Sequence, residues 1–499
     1  MYRFARFAPA STTAMLLALL ATSPAFAQTM TPDEAWRQLE RIADQLDLSI
    51  TSTGQSATAD AMIATGVRIF PEDDPNTVVV SMDSLRVAGA DGQVSLTPSS
   101  TFDVAIAVSR NETRHVQITH DGRISGMLDS QNAALNLSFP SLRALLLPNV
   151  NAKGTPSGGP ELDMTFGALE VTASAANEGS AALNLDAGQV TYDLTYPDPS
   201  GAAGAMISQD GSMTGLHLAF TGTEMDLLSD DDGMLAAAFA GGFNARLEMS
   251  AEGSRQTSTQ MLEGMPLNMV TEGSSSSIQI SAVDGRVDIT GDAGPLSVSG
   301  SYGPIRGGAT LGGMDMAFGL PLVVTPEEQE VRYRVSFRDL VPAPELLAMV
   351  GASQFAGDAV TVTVDLGAQA RLLQELGEDF FEADAPPVDV SGASLNELRV
   401  AVGDSVLTGS GAVELIGGLM AQIGRPMPEA NGDFSFDLVG GERLLTRLQS
   451  MGIIPQDQLF FVRMMLNGLS RPVGDDHLQS EVAIRPGGVV TVNGAPIPF

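Results

Sequence analysis

The sequence predicts an α+β, β-rich protein: large antiparallel amphipathic sheets, curved or sandwiched, with a few amphipathic helices packed on the apolar face. From residue 50 onward apolar and polar residues alternate, as along Phe102, Val104, Ile106 and Val108, and this period of two is typical of antiparallel strands with one wet side. Dipeptides that favour tight turns separate such runs. They are Asp91-Gly92, Asp121-Gly122, Asp210-Gly211, Asp284-Gly285 and Asn493-Gly494.

Composition excludes several classes of protein. The 499 residues carry a formal net charge of −34, so the chain is too acidic to bind nucleic acid unaided. A hydrophobic content of 43% argues against a disordered chain. No cysteine is present, which rules out disulfides, thiolate metal sites, cysteine nucleophiles and a lipid-modified N-terminal cysteine.

The first 27 residues have the three parts of a Sec signal peptide. Arg3 and Arg6 precede a short apolar stretch, residues 14–21, and an A-x-A cleavage site follows at residues 25–27. A buried N-terminal helix is the alternative. Beyond residue 28 the most apolar run, Met234 to Phe243, is far shorter than the roughly 20 residues that span a bilayer. We therefore expect a periplasmic protein with no transmembrane helix in the mature chain, with association with the outer membrane left open.

A helix is predicted to open the mature chain. Thr31, Pro32 and Glu34 suit an N-cap, a first helical position and the end of a capping box. An apolar stripe at helical spacing follows and predicts a docked helix, with Trp36 in the interface. The stripe consists of Ala35, Trp36, Leu39, Ile42, Ala43 and Leu46.

Four strands that contain an aromatic residue each lead into a leucine-rich stretch of helical character. We interpret them as degenerate repeats of one supersecondary unit, with chance recurrence as the alternative. The helical stretches are Leu142–Leu147, Met225–Phe239, Glu345–Val350 and Glu442–Met451. Glycine- and proline-rich segments divide the mature chain into an N-terminal helix plus sheet region (28–155), a β-rich middle region (156–325) and a C-terminal strand-helix region (326–499).

The C-terminal third resembles a known family. An acidic strand, Asp433–Leu438, enters the helix Glu442–Met451; a second amphipathic helix, Gln456–Leu469, and a strand with Gly487-Gly488 follow. This order is similar to the end of an uncharacterised family of exported proteobacterial proteins, catalogued as domain of unknown function 2125. The resemblance implies an envelope location and brings no assigned reaction or catalytic residue.

No recognised catalytic or cofactor motif is present, so we predict no catalytic residue, no cofactor and no metal site. His115 and His120 would lie on different faces of one strand, and we expect them and the other two histidines, His217 and His477, at the surface. The acidic segment 229–233 has Leu228 and the apolar residue 239 at the first and twelfth positions of an EF-hand, so a solvated turn before a helix explains it better than a loose calcium site.

Three arginines form the one candidate site for contact with an anion or a partner. Arg332, Arg334 and Arg338 share the polar face of a strand in a very acidic chain, which suggests a site for an anion such as a lipid headgroup, or for an acidic partner. The favoured alternative is cross-strand pairing with carboxylates such as those of Asp365 or Glu330.

These observations favour an exported envelope protein that is structural or binds a hydrophobic ligand, such as lipid, on an apolar sheet face. Its partner would be lipid or another envelope protein, and its oligomeric state is open. One alternative is an outer-membrane β-barrel, against which the scarcity of tryptophan and tyrosine argues. Another is a hydrolase without a recognisable motif.

Overall fold

The computed structural model describes residues 31–45, 48–72, 77–90, 93–109, 112–128, 132–147, 160–176, 179–198, 206–224, 235–374, 387–423 and 429–497. These stretches contain 29 strands and five α-helices, and the predicted β-rich α+β class is confirmed. The predicted leader and the acidic segment 229–233 lie outside them. Within the stretches that are described, no helix combines the length and the apolar character needed to span a membrane.

The chain divides into two compact units. Unit 1 comprises Met1–Met225 and Leu247–Val270, and unit 2 comprises Asp226–Arg246 and Thr271–Phe499. The predicted boundary near residue 155 lies outside the described residues. The one near residue 326 falls between two strands of unit 2, and both boundaries stay predictions.

Unit 1 contains one helix and a large antiparallel sheet. The helix is α1, Pro32–Gln45. The strands are β1 Leu48–Thr51, β2 Gly54–Ala57, β3 Ala61–Pro71, β4 Val78–Ala90, β5 Gln93–Pro98, β6 Thr101–Ser109, β7 Glu112–His120, β8 Arg123–Leu128, β9 Asn132–Leu146, β10 Glu161–Ala176, β11 Ser180–Pro197, β12 Met206–Thr223 and β14 Gly253–Leu262. The chain passes between the units within β13, Asn244–Ala251, and β15, Met265–Gly273.

Helix α1 begins with the predicted capping box. The Thr31 backbone N–H donates to Glu34 Oε2 at 2.8 Å, and the Glu34 backbone N–H donates to Thr31 Oγ1 at 3.4 Å. These reciprocal bonds satisfy two of the donors that a helix start leaves free. Trp36 and Leu39 on the predicted stripe are buried, with exposed fractions of 4% and 0%, so α1 docks on β1, β3 and β4 as expected.

The sheet of unit 1 forks between β4 and β9. The first half of β4 pairs with β6 and its second half with β5. Strand β6 pairs with β7, β5 pairs with β8, and both β7 and β8 then pair with successive halves of β9. Two branches of sheet therefore connect the same pair of long strands.

The core of unit 1 follows one branch of this fork. Val87, Leu96, Ile124 and Leu137 are register partners on four successive strands, so their side chains share one face. All four are at most 3% exposed. Together with Ala35, Trp36, Leu39 and Ala43 of α1 they belong to one packed hydrophobic cluster, which is the core of unit 1.

Unit 2 combines antiparallel strands with four helices. The helices are α2 Leu235–Ala240, α3 Pro344–Met349, α4 Gly441–Ser450 and α5 Gln456–Leu469, with 3₁₀ turns at Ser353–Phe355 and Met420–Gln422. The strands are β16 Ser276–Val283, β17 Arg286–Ala293, β18 Leu296–Tyr302, β19 Ile305–Leu311, β20 Gly313–Pro321, β21 Gln329–Pro342, β22 Val360–Leu372, β23 Val388–Val402, β24 Ser405–Leu415, β25 Ala430–Val439, β26 Arg471–Gly474, β27 His477–Arg485, β28 Val489–Val492 and β29 Ala495–Pro496.

Two of the predicted helical stretches were placed well and one was wrong. Helices α3 and α4 match the predicted stretches to within one residue at each end. Residues 142–146, however, are the second half of β9, and residue 147 follows its end. Strand β9 pairs with β7 on one side and β10 on the other, so backbone hydrogen bonds on both edges override the helical preference of a leucine-rich run. In the stretch Met225–Phe239, only residues from 235 onward are described.

Some of the predicted turns are also present and others are not. Asp284-Gly285 and Asn493-Gly494 form two-residue turns with positive φ at both positions, as the type I′ hairpin requires. Asp210-Gly211 is not a turn but lies inside β12, paired with β11 and β14. A Cβ at Gly211 would lie 2.5 Å from the Tyr192 ring, so this glycine makes room for an aromatic side chain on the neighbouring strand. Asp91-Gly92 lies outside the described residues.

Candidate functional site

The three candidate arginines lie on one face of the unit 2 sheet. Arg332, Arg334 and Arg338 alternate along β21 and share that face with Ser336. We call it the polar face. Strand β21 lies between β20 and β22, so each guanidinium has strands that carry carboxylates on both sides.

Arg334 is the centre of an ion-pair network. Its Nε donates to Asp315 Oδ2 at 2.9 Å, and its Nη1 donates to Asp365 Oδ2 at 3.1 Å and Glu397 Oε2 at 3.0 Å. These carboxylates belong to β20, β22 and β23, so one guanidinium links its own strand to three others. The register explains the geometry, because Arg334, Asp365 and Glu397 are successive cross-strand partners.

The other two arginines also pair with carboxylates of the sheet. Arg332 Nη2 lies 3.3 Å from Asp365 Oδ2, as the pairing alternative predicted. Arg338 donates to Asp315, and its Nη2 lies 3.8 Å from Asp292. Three guanidinium groups thus face four carboxylates, and the cluster keeps one net negative charge. Binding of an external anion here stays a prediction, and it would have to displace a carboxylate of the protein.

Asp365 is the buried member of the network, with a side chain only 7% exposed. Burial alone would raise its pKa, but hydrogen bonds from Asn396, Arg334 and Arg332 outweigh it and hold the pKa below the ordinary value of 3.8. Hydrogen bonds to Asp315, Glu397 and Asp365 raise the pKa of the Arg334 guanidinium. Since the Asp365 pKa is lowered in the folded state, its contribution to stability is present above pH 3.8 and is lost as pH falls through the lowered pKa.

The opposite face of this sheet is apolar. Register partners on seven successive strands, β20 to β25 and β27, form one row of apolar side chains. The row is Met314, Phe337, Val362, Val400, Leu407, Leu438 and Leu478. A parallel row includes Ile289, Phe318, Tyr333 and Leu366, and the Phe318 and Tyr333 rings meet edge to face at 5.1 Å. We call this surface the apolar face of unit 2.

The apolar face is only partly covered. Exposed fractions are 43% for Tyr333, 42% for Phe337, 41% for Leu366 and 48% for Leu320. The large cluster of fully packed apolar side chains lies in unit 1, whereas on the central strands of unit 2 the buried side chains include Ser336, Thr363 and Asp365 on the polar face. On these strands of unit 2 the most buried side chains are therefore polar, whereas several large apolar side chains of the opposite face meet solvent.

Three of the four histidines pair with an aspartate on a neighbouring strand. Nδ1 of His115 lies 2.9 Å from Asp103, and Nδ1 of His217 lies 2.7 Å from Asp186. Nε2 of the half-buried His477 lies 3.1 Å from an oxygen of residue 437. None of the histidines belongs to a group of potential metal ligands among the residues that the structure describes.

His120 corrects the prediction that all four histidines are at the surface, because it is only 6% exposed. Its ring lies between those of Phe102 and Phe139, and Nε2 lies 3.1 Å from the carbonyl oxygen of Ser99. A carbonyl can only accept, so Nε2 carries the proton. The sequence does contain the signal, since His120 follows Val116 and Ile118 at the alternate positions of β7 that face the core.

Burial makes unit 1 sensitive to acid through His120. Loss of hydration lowers the pKa of His120 below 6.5, although the Ser99 carbonyl and Asp121 oppose the shift. The unfolded chain therefore takes up this proton first, and the stability of unit 1 should fall as pH drops below about 6.5 toward the lowered pKa.

The measurement is urea unfolding followed by Trp36 fluorescence, the only tryptophan signal in the chain, between pH 7 and pH 5. The variant H120F should lose this slope with pH. The control H217A should retain it, because His217 is exposed. An equal slope in H120F and the unmodified protein would contradict the assignment.

Comparisons with models of protein families, with curated proteins and with solved structures find no match to this chain. The family resemblance of the C-terminal third therefore stays a prediction, as does the envelope location that it implies.

Proposed function

We propose that this protein is an exported envelope protein that binds lipid acyl chains on the apolar face of unit 2. The observation that carries the proposal is the partly exposed continuous apolar surface on a sheet whose opposite face carries an ion-pair network. Monomeric soluble proteins rarely leave large apolar patches open unless something binds there. The predicted signal peptide supports the export part of the proposal.

The dimensions of the apolar face suit an acyl chain. Its seven-residue row crosses seven strands, and at about 4.8 Å between strands it extends roughly 29 Å. An acyl chain of one bilayer leaflet occupies about half of a 30 Å hydrocarbon core. The row of apolar side chains is therefore long enough to hold a whole acyl chain. Its Phe, Met, Val and Leu side chains offer no hydrogen-bonding group apart from the weak methionine sulfur, which suits a hydrocarbon guest.

The test is binding of a fluorescent fatty acid to delipidated protein. A double substitution, Tyr333→Asp with Phe337→Asp, should weaken binding at least tenfold, because the guest would then strip water from two carboxylates. Both side chains are more than 40% exposed, so the sheet should tolerate the change, which circular dichroism verifies.

The matched control is Val108→Asp, at a residue of unit 1 that is 61% exposed, and it should bind like the unmodified protein. Equal affinity in the double variant and the control, or no binding by the unmodified protein, would refute the proposal.

A further inference from the structure

Helix α5 carries a second apolar surface that is separate from the sheet. Leu459 is its buried anchor, at 3% exposed, and Arg463 Nε donates to Glu442 Oε2 of α4 at 3.1 Å. These contacts fix which side of α5 faces the protein. On the other side, large apolar residues three and four positions apart meet solvent. Their exposed fractions are 73% for Phe460, 56% for Phe461, 53% for Met464, 47% for Met465 and 43% for Leu469.

We propose that this set of five side chains, the α5 stripe, docks unit 2 on the surface of a lipid bilayer. The inference is independent of acyl-chain binding by the sheet. Taken together, the two proposals assign the apolar face to holding a lipid and the α5 stripe to contact with the membrane that supplies or receives it.

The size of the stripe favours a membrane over a protein partner. Five side chains, each about half exposed and of order 200 Å² when free, present roughly 500 Å². A stable protein interface buries about 800 Å² on each partner, and the stripe is smaller. A bilayer requires no matching surface, because an apolar helix face can sink into the boundary between headgroups and acyl chains.

The composition of the stripe supports the same occupant. Protein interfaces draw their binding energy mainly from Trp, Tyr and Arg, and the stripe contains none of these. Phenylalanine, methionine and leucine instead have no polar atom that must find a partner in hydrocarbon, apart from the weak methionine sulfur.

The charge of the protein indicates whether the bilayer is anionic or zwitterionic. Helices that bind anionic membranes carry lysine and arginine on their polar side. Helix α5 has one arginine, Arg463, and Glu442 neutralises it. The whole chain has a net charge of −34, which anionic headgroups would repel. The target is therefore a zwitterionic lipid surface.

The experiment is flotation of the full chain with phosphatidylcholine vesicles. We expect the protein to float with the vesicles, and Phe460→Ser with Phe461→Ser to reduce the bound fraction at least tenfold. The control Val108→Ser, at another exposed apolar residue, should leave binding unchanged. Unchanged flotation of the double variant, or no flotation of the unmodified protein, would overturn the proposal.

Two further measurements separate the outcomes. Sedimentation of the protein without lipid detects self-association. If the unmodified chain dimerises and the double variant does not, the stripe is a contact between copies of this chain and the bilayer proposal fails. Uptake of the fluorescent fatty acid without vesicles should be the same in the double variant and the unmodified protein. This readout fails only if the sheet does not bind lipid, so the two proposals stand or fall separately.

Discussion

Replacing Arg334 with alanine should destabilise unit 2 by about 3 kcal/mol, the low end of the range for breaking a buried ion pair. The side chain of Asp365 is 7% exposed, so the variant would remove one of the two guanidinium groups that compensate its charge in a place that water hardly reaches. Arg334 is itself 26% exposed, which keeps the effect near that low end. Amide hydrogen exchange in peptides from β21 and β22 measures the loss directly.

A second substitution tests this mechanism. Adding Asp365→Asn to Arg334→Ala removes a buried charge that Arg332 alone would then compensate, so the double variant should recover part of the lost stability. Arg306→Ala is the control, because this arginine is exposed on β19 and makes no ion pair with any residue that the structure describes. A loss below about 1 kcal/mol in Arg334→Ala would mean that the network behaves like a surface salt bridge.

Replacing Leu39 with alanine should destabilise unit 1 by about 2–5 kcal/mol, the range for a buried leucine. Leu39 is fully buried where α1 docks on the sheet, one turn from Trp36. The substitution leaves a cavity beneath the helix, because the strands on either side are held by their ladders and cannot close it. Urea unfolding followed by Trp36 fluorescence reports this unit.

Asp44→Ala is the matched control, since Asp44 lies on the exposed side of the same helix and its loss should change the unfolding free energy by no more than about 0.5 kcal/mol. If the two variants unfolded at the same urea concentration, α1 would not be part of the cooperative core of unit 1.

Local sequence signals predicted the parts of the fold that local chemistry decides. The capping box at Thr31 and Glu34 and the turn at Asp284-Gly285 need only residues within a few positions of each other, and both are present. Leucines at 142–146 could suit a helix or a strand, and only the pairing of β9 with two distant strands decides between them. The register between strands that are distant in sequence cannot be predicted from a short window of residues.

The same limit applies to the candidate site. Alternation placed Arg332, Arg334 and Arg338 on one face, because parity is a local property of a strand. Of the two partners that the sequence suggested, Asp365 pairs with Arg332 and Arg334, whereas the ion pairs of these arginines among the described residues do not include Glu330. Alternation could not find Asp315 or Glu397, since those contacts depend on which strands become neighbours. Nor could it show that the apolar face would stay partly open, or which side of α5 would lack a partner, because coverage is decided by the packing of whole elements.

The fork in unit 1 has a mechanical consequence. Six strands pair one with the next in a closed ring. They are β4, β6, β7, β9, β8 and β5, and β5 pairs again with β4. If one hairpin slid by two residues, the offset would have to reappear in the opposite branch, and both branches would need to open at once. Errors of strand register that an open sheet would tolerate are therefore disfavoured, and the surface on which α1 docks keeps one defined geometry.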